Sequence, residues 1–522
     1  MPSLVSRLLV GALVVVPIGA TAQLRTDVLI RGGRVIDGTG AAARVADVGI
    51  TGNRITFLGD ARVSGVSAAR TIDATGLVVT PGFIDPHTHT AADLASPQRA
   101  RRHNAAYLMQ GVTTVVTGND GGGPVDVGAA LARYGADSIG TNAALFVGFG
   151  TLRGRVLGAS SSAASPSQLD AMRRMVARAM DGGALGLSTG LYYAPQSYAS
   201  TEEVIAVARE AASRGGVYDS HLRDESSYTI GLVGAVAEAI RVGREARMPV
   251  HIAHIKALGV DVWGRSDSVI AMIRAARAAG QDVTADQYPY PASGTAVGAA
   301  LLPRWAEAGG RDSLRKRAAD PATRERLLSD MRENLRRRNG AGALLITESS
   351  RRDIAGKTLE QIAAARGVEP VIAGLDIILG GDASVASFNM HEDDIVHFMR
   401  EDFVMTGSDG SDGHPRKYGT YPLKLRTYVL DKHVIPLETF VRRSSADVAR
   451  AFGIANRGTL TVGAFADVLV FDPTRVRERS TYESPTLLAE GMSYVFVNGA
   501  AAVDGGKLTT VLAGRGLWRG VE

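Results

Sequence analysis

The sequence predicts an α/β fold: a closed (β/α)8 TIM-like barrel with a β-sandwich formed from both chain ends and a small insertion domain. Three observations predict it. Eight short apolar segments in the middle of the chain read as strands, and seven of them follow a helical run. Strand-like text punctuated by turn residues fills both ends of the chain. Between residue 291 and about residue 388 the strand–helix rhythm breaks, which reads as an inserted segment.

Composition excludes several classes. The chain has 522 residues, 45% hydrophobic and 21% charged, an ordinary globular mixture with room for more than one domain. Lys+Arg number 58 against Asp+Glu 53, with no basic cluster interleaved with aromatics, so no nucleic-acid partner is expected. Cysteine is absent, which removes disulfides, a thiol nucleophile and thiolate metal ligands. Any metal must be held by His, Asp or Glu.

Residues 1–22 read as an export signal. Arg7 supplies the positive start, residues 8–18 the apolar core, and Ala20-Thr21-Ala22 a small-residue cleavage site. The run is short for a membrane span, so a periplasmic or secreted protein without stable membrane insertion is expected. The N-terminal part of the sandwich is assigned to residues 23–80. Within it, residues 27–31 and 34–37 flank Gly32-Gly33 and read as a hairpin. The barrel is assigned to residues 81–445, with its insertion at about 291–350 including an Arg-rich helix over 314–338. Residues 446–522 complete the sandwich.

In the barrel, the first strand runs into Pro81-Gly-Phe-Ile-Asp-Pro-His-Thr-His89. Alternation along a strand puts His87 and His89 on one face. Later strands run 113–117 toward Asp120, 142–147, 185–189, 217–221 to His221, 250–254 to His254, 283–288 to Tyr288, and 403–409 to Asp409. A lone strand-end His is commonly a hydrogen-bonded polar residue, and Asp120 and Asp409 each sit in glycine-flanked text that fits a simple turn. Their joint placement at the C-terminal rim of a barrel, where active sites are built, favours a metal site of His87, His89, Asp120, His221, His254 and Asp409. His251 falls three residues before His254 and faces away from it. His103, His391, His397 and His433 lie in helical or loop text and read as surface or packing residues. The ligand types suit zinc, one or two ions per chain. Such an ion activates water and polarises a carbonyl, with Asp409 as general acid/base. These parts describe hydrolysis of an amide or similar C–N bond.

The chain resembles the amidohydrolase superfamily, and within it the N-acyl-D-amino-acid deacylases. The resemblance covers nearly the whole chain from residue 27. It rests on the His87-Thr-His89 segment, Gly186-Leu-Ser-Thr-Gly-Leu-Tyr-Tyr-Ala-Pro195, His221-Leu-Arg-Asp-Glu225, His254-Ile-Lys256, Tyr288-Pro-Tyr290, Gly407-Ser-Asp-Gly410, His414-Pro-Arg-Lys-Tyr-Gly-Thr420 and Ala464-Phe-Ala-Asp-Val-Leu-Val470. It implies zinc, a small N-acyl amino acid as substrate, a tight metal on His221 and His254, and a weaker one at His87 and His89. It also implies Lys256, Tyr288 and Arg416 near the substrate carboxylate, with Tyr192 as a further substrate contact. Members of the family typically carry a cysteine ligand after the second strand. Here Asp120 stands nearest that position, and residues 185–193 contain no lysine to bridge two ions, so Asp120 is the bridging candidate. Alternatives are a dipeptidase or cyclic-amide hydrolase on the same barrel, or a metal-free barrel acting as a binding protein.

Overall fold

The computed structural model describes residues 24–521, so the expected export signal lies outside the described residues. Eight parallel barrel strands are labelled β1–β8 in chain order. They are Phe83–Thr88 (β1), Val112–Thr117 (β2), Asn142–Leu145 continued by Val147–Gly148 (β3), Gly186–Gly190 (β4), Val217–His221 (β5), Val250–Ile252 (β6), Val283–Gln287 (β7) and Val404–Thr406 (β8). The first three pair in sequence order, and β3 to β8 form a second run through β3's later segment. The ring closes between β8 and β1, where Thr88 pairs with Gly410 and His89 N–H donates to Gly410 O at 3.0 Å. One carboxylate helps to lock that seam. Asp85 Oδ1 accepts from Ser408 N–H and from His87 N–H, each at 3.1 Å.

The strands are buried on both faces and therefore read as apolar runs rather than alternating ones. Helices such as Pro166–Asp181, Thr201–Ala212 and Gly231–Ala246 cover the outside, each with one apolar stripe inward. Their starts are legible: Ser165 and Ser200 cap the first two by accepting backbone N–H bonds from Gln168 and Glu203.

Both chain ends contribute to one connected nine-stranded sheet. Residues 25–35 form a single strand rather than a hairpin. Gly32 takes φ of 68°, and the register slips between Ile30 and Gly33, so the glycine pair makes a bulge. Asp47 Oδ1 receives the freed Gly32 N–H at 2.7 Å, which is why the chain continues straight on instead of turning back. The C-terminal strands begin at Val468, later than residue 446. The intervening helix Ala446–Phe452 packs Val448 and Phe452 into a cluster with the barrel residues Ile84, Val116 and Met405.

The insertion follows β7. Strands Ala292–Ala296, Leu344–Glu348 and Ser384–Phe388 form a separate antiparallel sheet over their own apolar core. The expected end near 350 is too early, because the strand ending at Phe388 is the central one of the three. The single Arg-rich helix is two, Gly310–Ala319 and Pro321–Arg337. Pro321 cannot continue a helix but starts one well, and Asp320 caps it by accepting from Thr323 N–H at 2.9 Å.

Candidate functional site

The six candidate ligands are brought together at the barrel mouth. His87 lies in β1 and His221 ends β5; His89, Asp120, His254 and Asp409 follow their strands directly or after a short turn. Asp120, His254 and Asp409 have φ of 55°, 34° and 47°, a left-handed backbone that non-glycine residues rarely adopt. Such strain, on the order of 1 kcal/mol or more per residue, persists where the surroundings hold it and is common at functional sites. The Asp120 turn is held by Gln196, whose amide donates to Asp120 O at 2.9 Å and accepts from Gly190 N–H at 2.8 Å. Gly123 is required there, since a Cβ would collide with the Phe146 carbonyl oxygen.

Asp120 occupies the centre. Its Oδ1 lies 3.4 Å from His87 Nε2, 3.6 Å from His221 Nδ1 and 3.6 Å from His254 Nε2, while Oδ2 lies 3.5 Å from His89 Nε2. Asp409 Oδ1 stands 3.0 Å from His89 Nε2 and 3.6 Å from His87 Nε2. Two donor sets result. One is His87, His89, Asp120 and Asp409; the other is Asp120, His221 and His254; within each, the donor atoms lie within 4.8 Å of one another. Asp120 belongs to both, which is the geometry of a bridging ligand.

The chemistry of the set fits divalent cations. His87 Nε2, His221 Nε2 and Asp120 Oδ1 are buried without a hydrogen-bond partner, a costly arrangement unless something else satisfies them. Burial pushes the His87 imidazole below its ordinary value, against the pull of Asp120 and Asp409. Burial alone would raise the Asp120 carboxyl, but His87 and His221 outweigh it and hold the group well below the usual range. Imidazole nitrogens grouped around carboxylate oxygens are donor types that suit zinc and similar ions. Any metal here would replace the direct His221 Nδ1 to His254 Nε2 contact of 2.8 Å.

A cavity of about 410 Å³ opens over this centre. Lys256, Tyr288, Arg416 and Tyr192 all line it, as do insertion residues, so the insertion walls the mouth. Arg416 lies 4.7 Å and Lys256 5.8 Å from the Tyr288 ring centroid, two cations beside one aromatic ring. Arg416 Nη1 also reaches Asp409 Oδ2 at 2.8 Å. The Tyr192 hydroxyl is engaged with Ala299 O at 2.7 Å, so its ring is the surface offered to the cavity.

Sequence reasoning missed the residues behind the ligands. Glu225 Oε1 stands 3.2 Å from His254 Nδ1 and 2.5 Å from Lys256 Nζ. Its position four residues after His221 was the available signal. His414 lines the cavity and bonds Ala292 O at 3.1 Å, joining the β8 loop to the insertion. His251 faces away as expected: its Nε2 lies 2.9 Å from Asp286 Oδ2.

Comparison with known proteins adds independent findings. A family model described as Amidohydrolase family matches residues 70–503. A D-aminoacylase from Alcaligenes xylosoxydans xylosoxydans is 36% identical, over 94% of this chain and 98% of that protein. A D-aminoacylase crystal structure reported with a binuclear metal center superposes with a TM-score of 0.80 at 37% identity, covering 95% of this chain and 100% of the other. The N-acyl-D-glutamate deacylase of Bordetella bronchiseptica, solved with zinc and a phosphonate inhibitor, gives 0.80 at 32% identity, with 95% and 100% coverage.

Proposed function

Because the chain belongs to the amidohydrolase family, we propose that it hydrolyses the amide bond of N-acyl-D-amino acids with the aid of divalent metal. The observation that carries this reading is the pair of donor sets sharing Asp120 beneath a cavity whose wall holds Lys256 and Arg416. His221 and His254 with Asp120 would hold one zinc ion; His87, His89, Asp120 and Asp409 would hold a second. A divalent cation at these sites supplies Lewis acidity toward a carbonyl oxygen and toward water.

The protein's own residues account for the rest. Arg416 and Lys256, with Tyr288 between them, offer charge-assisted donors to the α-carboxylate of the amino-acid half. That contact sets the amide against Asp409. Burial would raise the Asp409 carboxyl, but Arg416, His254 and His89 outweigh it and keep the group anionic. As a C–O bond forms between water and the acyl carbon, the water proton passes to Asp409. As the C–N bond breaks, Asp409 returns that proton to the amine nitrogen, giving a carboxylate and a free D-amino acid. Tyr192 offers its ring beside His221, with centroids 5.9 Å apart.

Assay of purified protein with zinc against matched N-acetyl-D- and N-acetyl-L-amino acids tests this reading. The D-forms are expected to release amine at least tenfold faster; equal rates for both, or hydrolysis of dipeptides alone, would replace it with one of the sister activities. The N-terminal pattern supports export, and N-terminal sequencing of the mature protein should begin at Gln23.

A further inference from the structure

We propose that Arg338 forms an anion-binding position in the cavity wall, taking a second carboxylate carried by the substrate; this rests on the deacylase reading above. Arg338 ends the insertion helix Pro321–Arg337 as its C-cap, is 2% exposed, and lines the same cavity as the metal-ligand cluster. The other cations of that wall are already matched. Lys256 pairs with Glu225 at 2.5 Å and Arg416 with Asp409 at 2.8 Å. Arg304, outside the cavity lining but 4.5 Å from the Tyr192 ring centroid, pairs with Glu307 at 2.6 Å. Among the described residues, no carboxylate lies within ion-pair distance of Arg338.

Its neutral surroundings do not supply a counter-charge. Arg338 Nη2 donates to the Tyr192 hydroxyl at 3.2 Å, its Cζ lies 5.9 Å from the Tyr228 ring centroid, and with the Asn389 amide turned over Nη1 donates to Asn389 Oδ1 at 3.3 Å. The C-terminal end of its helix eases the burial of a positive charge. Yet Arg338 Nε and the Tyr228 hydroxyl remain buried without hydrogen-bond partners. A buried guanidinium with an unpartnered Nε–H beside the Tyr228 phenol presents donors suited to carboxylate oxygens. Burying a charge without a partner is expensive, and a ligand anion would supply that partner.

The position also fits the substrate. Tyr192 links the two ends: its hydroxyl meets Arg338 and its ring meets His221. An anion at Arg338 is therefore separated from the metal cluster by one aromatic side chain. A substrate held there carries a carboxylate besides its α-carboxylate, either on the D-amino-acid side chain or at the end of the acyl chain.

The experiment uses two isosteric pairs with the zinc-loaded protein: N-acetyl-D-glutamate against N-acetyl-D-glutamine, and N-succinyl-D-alanine against its succinamoyl analogue. Dissociation constants are read by calorimetry in the Asp409→Asn background, and kcat/KM in the parent enzyme. One pair is expected to show at least tenfold preference for the anion. That preference should fall to within about twofold in Arg338→Met and stay clearly above it in Arg338→Lys. The pair that responds identifies which half of the substrate carries the charge. Absence of preference in both pairs, or a preference that survives Arg338→Met with an unchanged melting temperature, would overturn the inference. Anion-selective binding without hydrolysis would leave Arg338 supported and refute the deacylase reading instead.

Discussion

Asp409 and Arg416 meet at 2.8 Å, carboxylate Oδ2 to guanidinium Nη1, with side chains only 7% and 2% exposed. The pair ties the residue proposed to carry the proton to the residue proposed to hold the substrate. Binding of an α-carboxylate must therefore share Arg416 with Asp409, so one substitution touches both steps.

Arg416→Ala is expected to lower kcat/KM for an N-acetyl-D-amino acid by about 10²-fold or more, since truncating one partner of a buried charge pair leaves the other uncompensated. The loss should shrink for the corresponding amino-acid amide, which has no α-carboxylate. Steady-state kinetics on both substrates checks it; an unchanged KM for the acid would remove Arg416 from substrate binding.

Asp409→Asn should cut kcat by about 10²- to 10⁴-fold, the usual range for a general acid/base, while the zinc of the Asp120, His221 and His254 set, which lacks Asp409, stays bound. Metal analysis beside turnover separates the two effects. Wild-type activity in this variant would exclude Asp409 from proton transfer.

Asp120→Ala removes the one carboxylate common to both donor sets. Zinc affinity should fall at least ~10- to 100-fold, the range seen even for residues behind the ligands. Competition with a coloured chelator measures it, and an unchanged stoichiometry would reduce Asp120 to a turn residue.

Glu225→Gln should weaken zinc binding without direct contact, because Glu225 Oε1 holds Lys256 Nζ at 2.5 Å and that ammonium sits 2.7 Å from His254 Nδ1. The expected signature is faster metal loss to chelator with an unchanged fold by circular dichroism. Equal metal-release rates in variant and parent would refute the positioning role.

Lys424 gives a pH prediction away from the metal ligands. Its ammonium is fully buried without a hydrogen-bond partner. Burial, reinforced by Arg443 and opposed by Asp286, lowers its pKa from 10.5 to about 7. The folded protein then binds fewer protons than the unfolded chain between about pH 7 and 10.5, so this group favours folding more strongly as pH rises through that window. Lys424→Met should therefore be more stable than the parent near pH 7, by on the order of a few kcal/mol, with the gap narrowing toward pH 10. Denaturant melts at both pH values test it; a gap independent of pH would show that Lys424 is charged in the fold.

The barrel was legible because its strands are separated by helical runs with clear caps, such as Ser165 and Ser200, and because parallel strands need such crossovers. The bulge at Gly32 was not, since a glycine pair between two apolar runs looks the same whether the chain turns or slips register. The break in rhythm to about residue 388 was legible, but the insertion's assigned end at 350 was too early for a related reason. Its central strand, Ser384–Phe388, pairs with partners far away in the chain, and local text does not report long-range pairing.

The candidate ligands followed from residue type and strand-end position alone, because a strand delivers its last side chains to a predictable rim. Only the tertiary structure decided how they divide. Asp120 lies within 3.6 Å of histidines from β1, β5 and the loop after β6, and that convergence depends on the closure of the ring. Likewise no spacing in the sequence separates Arg338, left without a carboxylate, from Arg304 and Arg416, which have one. Charge balance inside a cavity is set by which distant elements fold against each other, a property of the packed molecule and not of any stretch of its chain.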